Sequence, residues 1–416
     1  MNNTHKIGLI GFGVVGEGVY NVISSKNDLN AQIVKIAIKN PDKKRNAPAA
    51  LFTTDVNSIL FNNQIDTIVE LIDDDEAAYA IVKQALIHKK NVVTANKKML
   101  AYHLPELVQL QKENRVSLLY EAAVCGSIPI LRNLEEYYNN DLLHSIYGII
   151  NGSTNYILTQ MTENNVCYQL ALQQAQLEGF AESDPTLDVE GFDAQNKLVL
   201  LLKHTFGIEV LPEQIVRKGI SSICSEDLLY AREKDLQIKL IAKAHFNKFG
   251  QVVAYVMPQF IDTENPLHNI RNEYNGILIE STLADQQFLS GKGAGRYPTA
   301  SAVLSDISAL HYDYQYEYKR TNIYKTPKFS QHAIIEVFIS WKCQTAIDTT
   351  IFAEISTYFK SKEYCFLTGK IDLASLGSLL ASPNFSIIEI PSRPLQKTTP
   401  EVLQQKNRLE TLLTNF

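Results

Sequence analysis

Lys6-Ile-Gly-Leu-Ile-Gly11-Phe12-Gly13-Val14-Val15-Gly16 joins a short apolar run to a helical pattern that continues to Ser24. The run Lys6–Ile10 has strand character, and the junction spells Gly-x-Gly-x-x-Gly. That motif alone is weak, because glycines mark many tight turns. Its place between a strand and a helix gives it weight. Gly11 permits the tight turn, Gly13 lets backbone approach a pyrophosphate, and Gly16 lets helix and strand pack closely. Amides at the helix start then face the phosphates, with Phe12, Val14 and Val15 filling the turn.

Outward from this turn, further strands are expected at Ile33–Ile38, Thr67–Ile72, Asn91–Thr94 and Val116–Tyr120, with helices at Ala77–His88 and Leu104–Glu113. Strands alternating with helices imply right-handed crossovers and a Rossmann-type, doubly wound parallel sheet. The near-continuous apolar run from Thr67 suits a strand covered on both faces. After the second strand come Lys39-Asn40-Pro41-Asp42-Lys43-Lys44-Arg45, where an acidic residue usually accepts hydrogen bonds from the ribose of NAD. Cations there suit a 2′-phosphate, so NADP is expected, with NAD as the alternative and a solvated loop turned by Asp42 as the plain reading.

The middle of the chain predicts helices at Asn165–Leu177, Ala194–Phe206, Asp227–Phe246 and Ala300–Leu310, and strands at Gln251–Pro258 and Gly276–Glu280. Tyr312-Asp-Tyr-Gln-Tyr-Glu-Tyr318 reads as an exposed or half-buried strand or linker. From Pro327 a small α+β unit is expected: strand Ala333–Ser340, helix Thr349–Phe359, strand Tyr364–Thr368, helix Leu373–Ala381, strand Phe385–Pro391, then a loose tail. The expected division is 1–128, completed by 296–325, for the nucleotide; 129–295, an α+β unit for substrate and dimerisation; and 328–416 for the small unit.

A net charge of −6 argues against a nucleic-acid partner, and no apolar run is long enough for a membrane span. Five cysteines without a CxxC pair fit a reducing cytoplasm better than a disulfide framework, and the glycine-broken start lacks a secretory core.

Three constellations carry polar chemistry. Lys97, following Thr94-Ala-Asn96, falls at the carboxyl end of a sheet strand, where ligands gather; the plain reading is a surface lysine starting a helix. Glu182-Ser-Asp-Pro-Thr-Leu-Asp188-Val-Glu-Gly-Phe-Asp193-Ala-Gln-Asn-Lys197 is a carboxylate-rich loop running into a helix. Asp193 and Lys197, four apart, form either an ordinary pair worth about 0.3–0.5 kcal/mol or part of a site for a zwitterion. Asn151-Gly-Ser-Thr-Asn155 is an amide-rich turn, or simply a cap formed by Ser153 or Thr154.

With Val93–Lys98, Tyr120–Pro129 and Gly291–Val303, these motifs occur in an order that resembles the homoserine dehydrogenase family over roughly residues 5 to 310. The resemblance implies reduction of L-aspartate 4-semialdehyde to L-homoserine, toward threonine and methionine. It implies Lys97 and Lys197 as the lysines assisting proton transfer, and Glu182, Asp188 and Asp193 with Lys197 as substrate-binding groups. Lys39, Lys97 and Gly293 join the glycine turn in holding cofactor. Glu121, Val124, Gly126 and Ile128 resemble a monovalent-cation site, usually sodium. A homodimer or homotetramer is implied, with apolar Ile128–Tyr138 as a candidate interface. The 328–416 unit resembles the small ACT fold in element order only. Asp73-Asp-Asp-Glu76 stands where a glycine-rich turn is common, and Phe180 where many relatives carry Tyr. Two rivals remain: a thioester dehydrogenase using Cys125, and a nucleotide-binding regulator without catalysis.

Overall fold

The computed structural model describes residues 4–26, 29–140, 142–323 and 326–391; the expected loose tail lies outside them. Six strands form the first sheet: β1 (His5–Ile10), β2 (Ala31–Ala37), β3 (Phe52–Thr53), β4 (Thr67–Glu70), β5 (Asn91–Thr94) and β6 (Leu118–Leu119). Their order is β3-β2-β1-β4-β5-β6, every pair parallel. β1 and β4 are central and lined by Ile7, Leu9, Ile68 and Val69, all fully buried, which is why these runs read as continuously apolar. The strand order reverses beside β1, so the glycine turn opens at the switch point. The Arg296–Leu310 helix returns to pack on the Val14–Ser25 helix, where Gly18 leaves room for Arg296 and Ala300.

The second sheet holds β7 (Leu143–Ile149), β8 (Val216–Arg217), β9 (Gln237–Phe246), β10 (Val252–Ile261), β11 (Tyr274–Ser281), β12 (Asp285–Lys292), β13 (Ile334–Lys342), β14 (Phe352–Lys360), β15 (Tyr364–Asp372) and β16 (Phe385–Ile390). Its order is β12-β11-β7-β9-β10-β16-β13-β15-β14, with β8 beside β10. The carboxyl-terminal strands therefore continue the middle sheet. The bridge is the parallel pair Gln259 and Glu389, reinforced by Glu389 accepting from Lys243 (2.9 Å) and Tyr255 (2.8 Å).

Several expectations are corrected. The helix expected over Asp227–Phe246 stops at Glu233, turns through Asp235 in the left-handed region (φ 55°), and resumes as β9. Lys239 and Lys243, four apart, imitate a polar helix face. Both are instead held by β9: Lys239 donates to Asn155 and the Ile270 carbonyl, and Lys243 pairs with Glu389. The helix expected at Thr349–Phe359 is one 3-10 turn and then β14. Register shifts between Phe352 and Glu354 and between Ile355 and Thr357 break strict alternation, leaving a spacing that looks helical. The small unit is thus four strands and a short helix, not three strands and two helices. Cys343 and Cys365 form a disulfide just past β13 and at the start of β15, which the cysteine count did not signal. Apolar side chains of Ile128–Tyr138 are mostly buried within the chain, with Tyr137 the exposed exception.

The tyrosine segment is also more than a linker. Tyr316 and Tyr318 are fully buried while Tyr312 is exposed. Tyr318 and Tyr120 share a hydroxyl contact (3.0 Å), Tyr120 meets His204 (2.8 Å), and His204 meets Glu135 (2.6 Å). Glu135 also accepts the Tyr318 amide (3.1 Å), fastening the segment to the Phe192–Phe206 helix.

Burial alone would raise the Glu135 carboxyl, but His204, with the Tyr318 amide and Lys319, outweighs it and holds it below the ordinary 4.5. Its stabilising contribution is therefore present above that range and is lost as pH falls through the depressed value. Tyr318→Phe is expected to cost about 1 kcal/mol. Glu135→Ala, which strands buried partners, should cost about 3–5 kcal/mol, both read from urea midpoints at neutral pH. Equal, small shifts would refute the network as a fastening.

Candidate active site

At the glycine turn, Gly11 has φ +98°, and a Cβ there would lie 2.5 Å from the Leu71 carbonyl oxygen. A Cβ on Gly16 would lie 2.3 Å from the Gly11 oxygen. Nothing approaches a Cβ on Gly13 within 4 Å, so its backbone is open to a ligand. Gly13 and Val14 are exposed at the start of the helix, Val15 is half-buried, and Phe12 packs edge-on against Tyr20 and Phe52. Beyond β2, Lys39, Asp42, Lys43 and Lys44 are exposed; Arg45 donates to the Lys43 carbonyl (2.7 Å) and lies over Phe52. Within the acidic run after β4, Asp74 caps the Asp75–Ile87 helix and Asp75 pairs with Lys98 (3.0 Å), while Asp73 and Glu76 are exposed.

Lys97 opens the Lys97–Asn114 helix, capped by Asn96, while Asp193 and Lys197 lie one turn apart at the start of the Phe192–Phe206 helix. These helices pack together and bring Asp193 between two lysines. Its Oδ2 is 2.6 Å from Lys197 Nζ and its Oδ1 3.4 Å from Lys97 Nζ. Lys197 also donates to the Ile150 carbonyl (2.8 Å). Asn151 donates to Asp193 (2.8 Å) and to Asp188 (2.6 Å), while its own side-chain oxygen caps the Gly152–Glu163 helix through the Thr154 amide. The cap is thus Asn151, not Ser153 or Thr154. The sequence signal was present, since Asn is a strong capping residue, but its second use as a bridge was not legible.

Burial would raise the Asp193 carboxyl, yet Lys197 and Lys97 together hold it far below the usual carboxylate range. Asp193 in turn raises Lys97 against the effect of burial. Asp188 is pushed up, first by burial and then by the Asp193 charge. Lys97 remains 43% exposed, against 11% for Lys197, so Lys97 faces the open side of the cluster. The Glu182 side chain is exposed and makes no hydrogen bond to this cluster among the described residues, while its backbone carbonyl accepts from Gln176 (2.9 Å). Phe180, lacking a hydroxyl, packs against Tyr156 with centroids 4.6 Å apart.

Glu121 is buried, and its two oxygens accept the Leu131 (2.8 Å) and Arg132 (2.9 Å) amides. Its own amide donates to Asp306, which pairs with Arg132. Gly126 has φ +59° and approaches Gly293 so closely that a Cβ would lie 2.4 Å from the Gly293 oxygen. Ile128 donates its amide to the Cys125 carbonyl, whereas the Val124 and Gly126 carbonyls accept no hydrogen bond among the described residues. Cys125 is fully buried, its thiol pushed up to about 12 by burial, which is unsuited to a thiolate nucleophile.

Residues 11–121 match the family description "Homoserine dehydrogenase, NAD binding domain", and residues 129–308 match "Homoserine dehydrogenase". The Bacillus subtilis homoserine dehydrogenase is 36% identical over 314 residues, covering 73% of this chain and 72% of that protein. The chain belongs to the homoserine dehydrogenase family. The Synechocystis member is 38% identical over 314 residues, again covering 73% of this chain and 72% of its own length. The solved homoserine dehydrogenase from Thiobacillus denitrificans superposes with a TM-score of 0.81 at 28% identity, over 93% of this chain and 98% of its own. The chain is accordingly an oxidoreductase with a nicotinamide dinucleotide-binding domain. Among the described residues no helix is long and apolar enough to cross a membrane.

Asp193→Asn removes the charge that both lysines face. The expected outcome is a fall in turnover of about 10²-fold or more, with the Lys97 ammonium losing the charge that raises it. Chemical-shift titration of Lys97 in the two proteins would check this. An unchanged Lys97 titration would refute Asp193 as its partner.

Proposed function

We propose that the chain catalyses the reversible, NAD(P)-dependent reduction of L-aspartate 4-semialdehyde to L-homoserine, on the route to threonine and methionine. The observation that carries this reading is the Asp193 carboxylate held between Lys97 and Lys197 at the mouth of the nucleotide sheet. When bound, the nicotinamide supplies the hydride to the aldehyde carbon or takes it from the alcohol. An alkoxide forming on the substrate oxygen requires a nearby cation or proton donor, and Lys97, kept charged by Asp193 and open to the cleft, suits that part. Lys197, fixed by Asp193 and the Ile150 carbonyl, holds the substrate oxygen from the buried side. Asp188, with Glu182 at the exposed rim, takes the substrate ammonium. An ammonium beside Asp188 offsets the repulsion from Asp193 that raises its carboxyl.

Cofactor contacts come from Gly11 to Gly16, from Lys39 and from Gly293 on the loop returning to the nucleotide sheet. The exposed cations after β2 favour NADP, with NAD as second choice. The monovalent cation fits Glu121 with the carbonyls of Val124, Gly126 and Ile128. Burial raises Glu121, and Asp306 is pushed up to about 7 by burial and by Glu121, with Arg132 opposing both shifts. A sodium ion there relieves that excess of carboxylates. The division into nucleotide (1–128 with 296–325), substrate (129–295) and ACT-like (328–416) units, and a cytoplasmic homodimer or homotetramer, complete the reading.

The deciding experiment follows homoserine-dependent reduction of NADP and of NAD by absorbance at alkaline pH. Wild type should turn over, while Lys97→Ala and Lys197→Ala each lose about 10²–10³ in kcat and still bind cofactor. Cofactor binding without turnover of homoserine or the semialdehyde would sink the substrate assignment. For the cation, raising sodium at constant ionic strength should raise the melting temperature of wild type and leave Glu121→Gln unmoved. An equal response in both would remove Glu121 from that site.

A further inference from the structure

Glu70 ends β4 in the centre of the nucleotide sheet, fully buried and apart from the Asp193 and Glu121 clusters. One oxygen accepts the Ile72 amide (2.7 Å) and the other the Thr94 hydroxyl (2.5 Å) from β5. The Thr94 oxygen then accepts the Asn96 amide (3.1 Å). Asn96 donates its side chain to the Ile72 carbonyl (3.1 Å) and caps the Met99 amide (3.0 Å), fixing the helix that begins at Lys97. Four hydrogen bonds thus close a loop from Glu70 through both strand ends and back to Ile72, and a fifth, from the Met99 amide, ties that loop to the helix. One arm lies under the nucleotide turn, since the Leu71 carbonyl sets how close Gly11 can approach. The other arm ends at Lys97.

We propose that Glu70 is a positioning residue for the reaction, setting through Thr94 and Asn96 where Lys97 stands relative to the nucleotide turn. This inference rests on the reading of Lys97 given above. A buried carboxylate without a cation is costly, and burial pushes the Glu70 carboxyl up to about 7, with the nearby Asp73 charge adding to it. A mere filler of that space would more cheaply be apolar. Glu70 is suited to the position because only an acceptor pair can take an amide from its own strand end and a hydroxyl from the next. Gln in its place offers one acceptor and one donor, so Thr94 can no longer donate to it and must accept from the Gln amide beside the Asn96 amide, which turns the hydroxyl and loosens the grip on Asn96. Thr94→Val removes the same link from the other side without changing shape, and Thr94→Ser keeps it.

Wild type is assayed first, and its turnover of homoserine tests the functional reading separately. Glu70→Gln and Thr94→Val are each expected to lower kcat about 10- to 100-fold, with homoserine KM and cofactor Kd changed less than about 3-fold. Thr94→Ser should stay close to wild type. The double variant should be no worse than the weaker single, because both cut one chain of contacts. If wild type turns over and either Glu70→Gln or Thr94→Val keeps its kcat, or their losses multiply, the inference falls and the functional reading stands. The same holds if the loss appears only in cofactor Kd. Should Glu70→Gln fail to fold, the contrast between Thr94→Val and Thr94→Ser decides alone.

Discussion

Asp193 sits with one oxygen on a lysine of its own helix and the other turned to a lysine from a different region of the chain. A carboxylate this buried is stable only because two ammonium groups and the Asn151 amide surround it. The same group therefore fixes the docking of the Lys97–Asn114 helix on the Phe192–Phe206 helix and the charge state of the candidate site. Geometry and electrostatics are one constraint here. Moving either helix would leave an unpaired charge in a dry place.

Around that contact the chain places its supports in tiers. Glu70 and Asn96 hold the strand ends from which Lys97 starts. Asn151 ties the start of its own helix to Asp188 and Asp193. Deeper along the Phe192–Phe206 helix, His204 is gripped by Glu135 and Tyr120, and the tyrosine segment closes over them. That segment follows the Arg296–Leu310 helix, which lies on the nucleotide unit. It thus fastens the chain's return to the helix that carries Asp193 and Lys197. The second sheet supplies the backing, and its continuity through Gln259 and Glu389 ties the carboxyl-terminal strands into the same framework.

The nucleotide half was readable because its signals are local. Strands β1, β4 and β5 fall within two residues of expectation, since parallel strands buried on both faces must be apolar throughout and glycine turns must be glycine. The family resemblance likewise followed from short motifs in a fixed order. The middle and end of the chain depend on contacts between distant elements. β9 carries two lysines at helical spacing whose partners, Asn155 and Glu389, come from distant elements. β14 carries two register shifts that erase alternation, and an exposed edge has no buried face to announce it.

The sequence by itself determined the dinucleotide turn, the parallel sheet, the family, and the identity of Lys97, Asp193 and Lys197 as residues to watch. Only the tertiary structure decided that Asp193 is shared by both lysines, that Asn151 rather than its neighbours caps and bridges, and that Glu182 stays at the rim. It alone revealed Glu70 behind Lys97 and the burial of Tyr316 and Tyr318. The physical reason is range. Turn chemistry and strand burial act over a few residues and leave a pattern in the sequence. The partner of a buried charge is chosen by where packing brings distant helices and strands, and no local spacing encodes it.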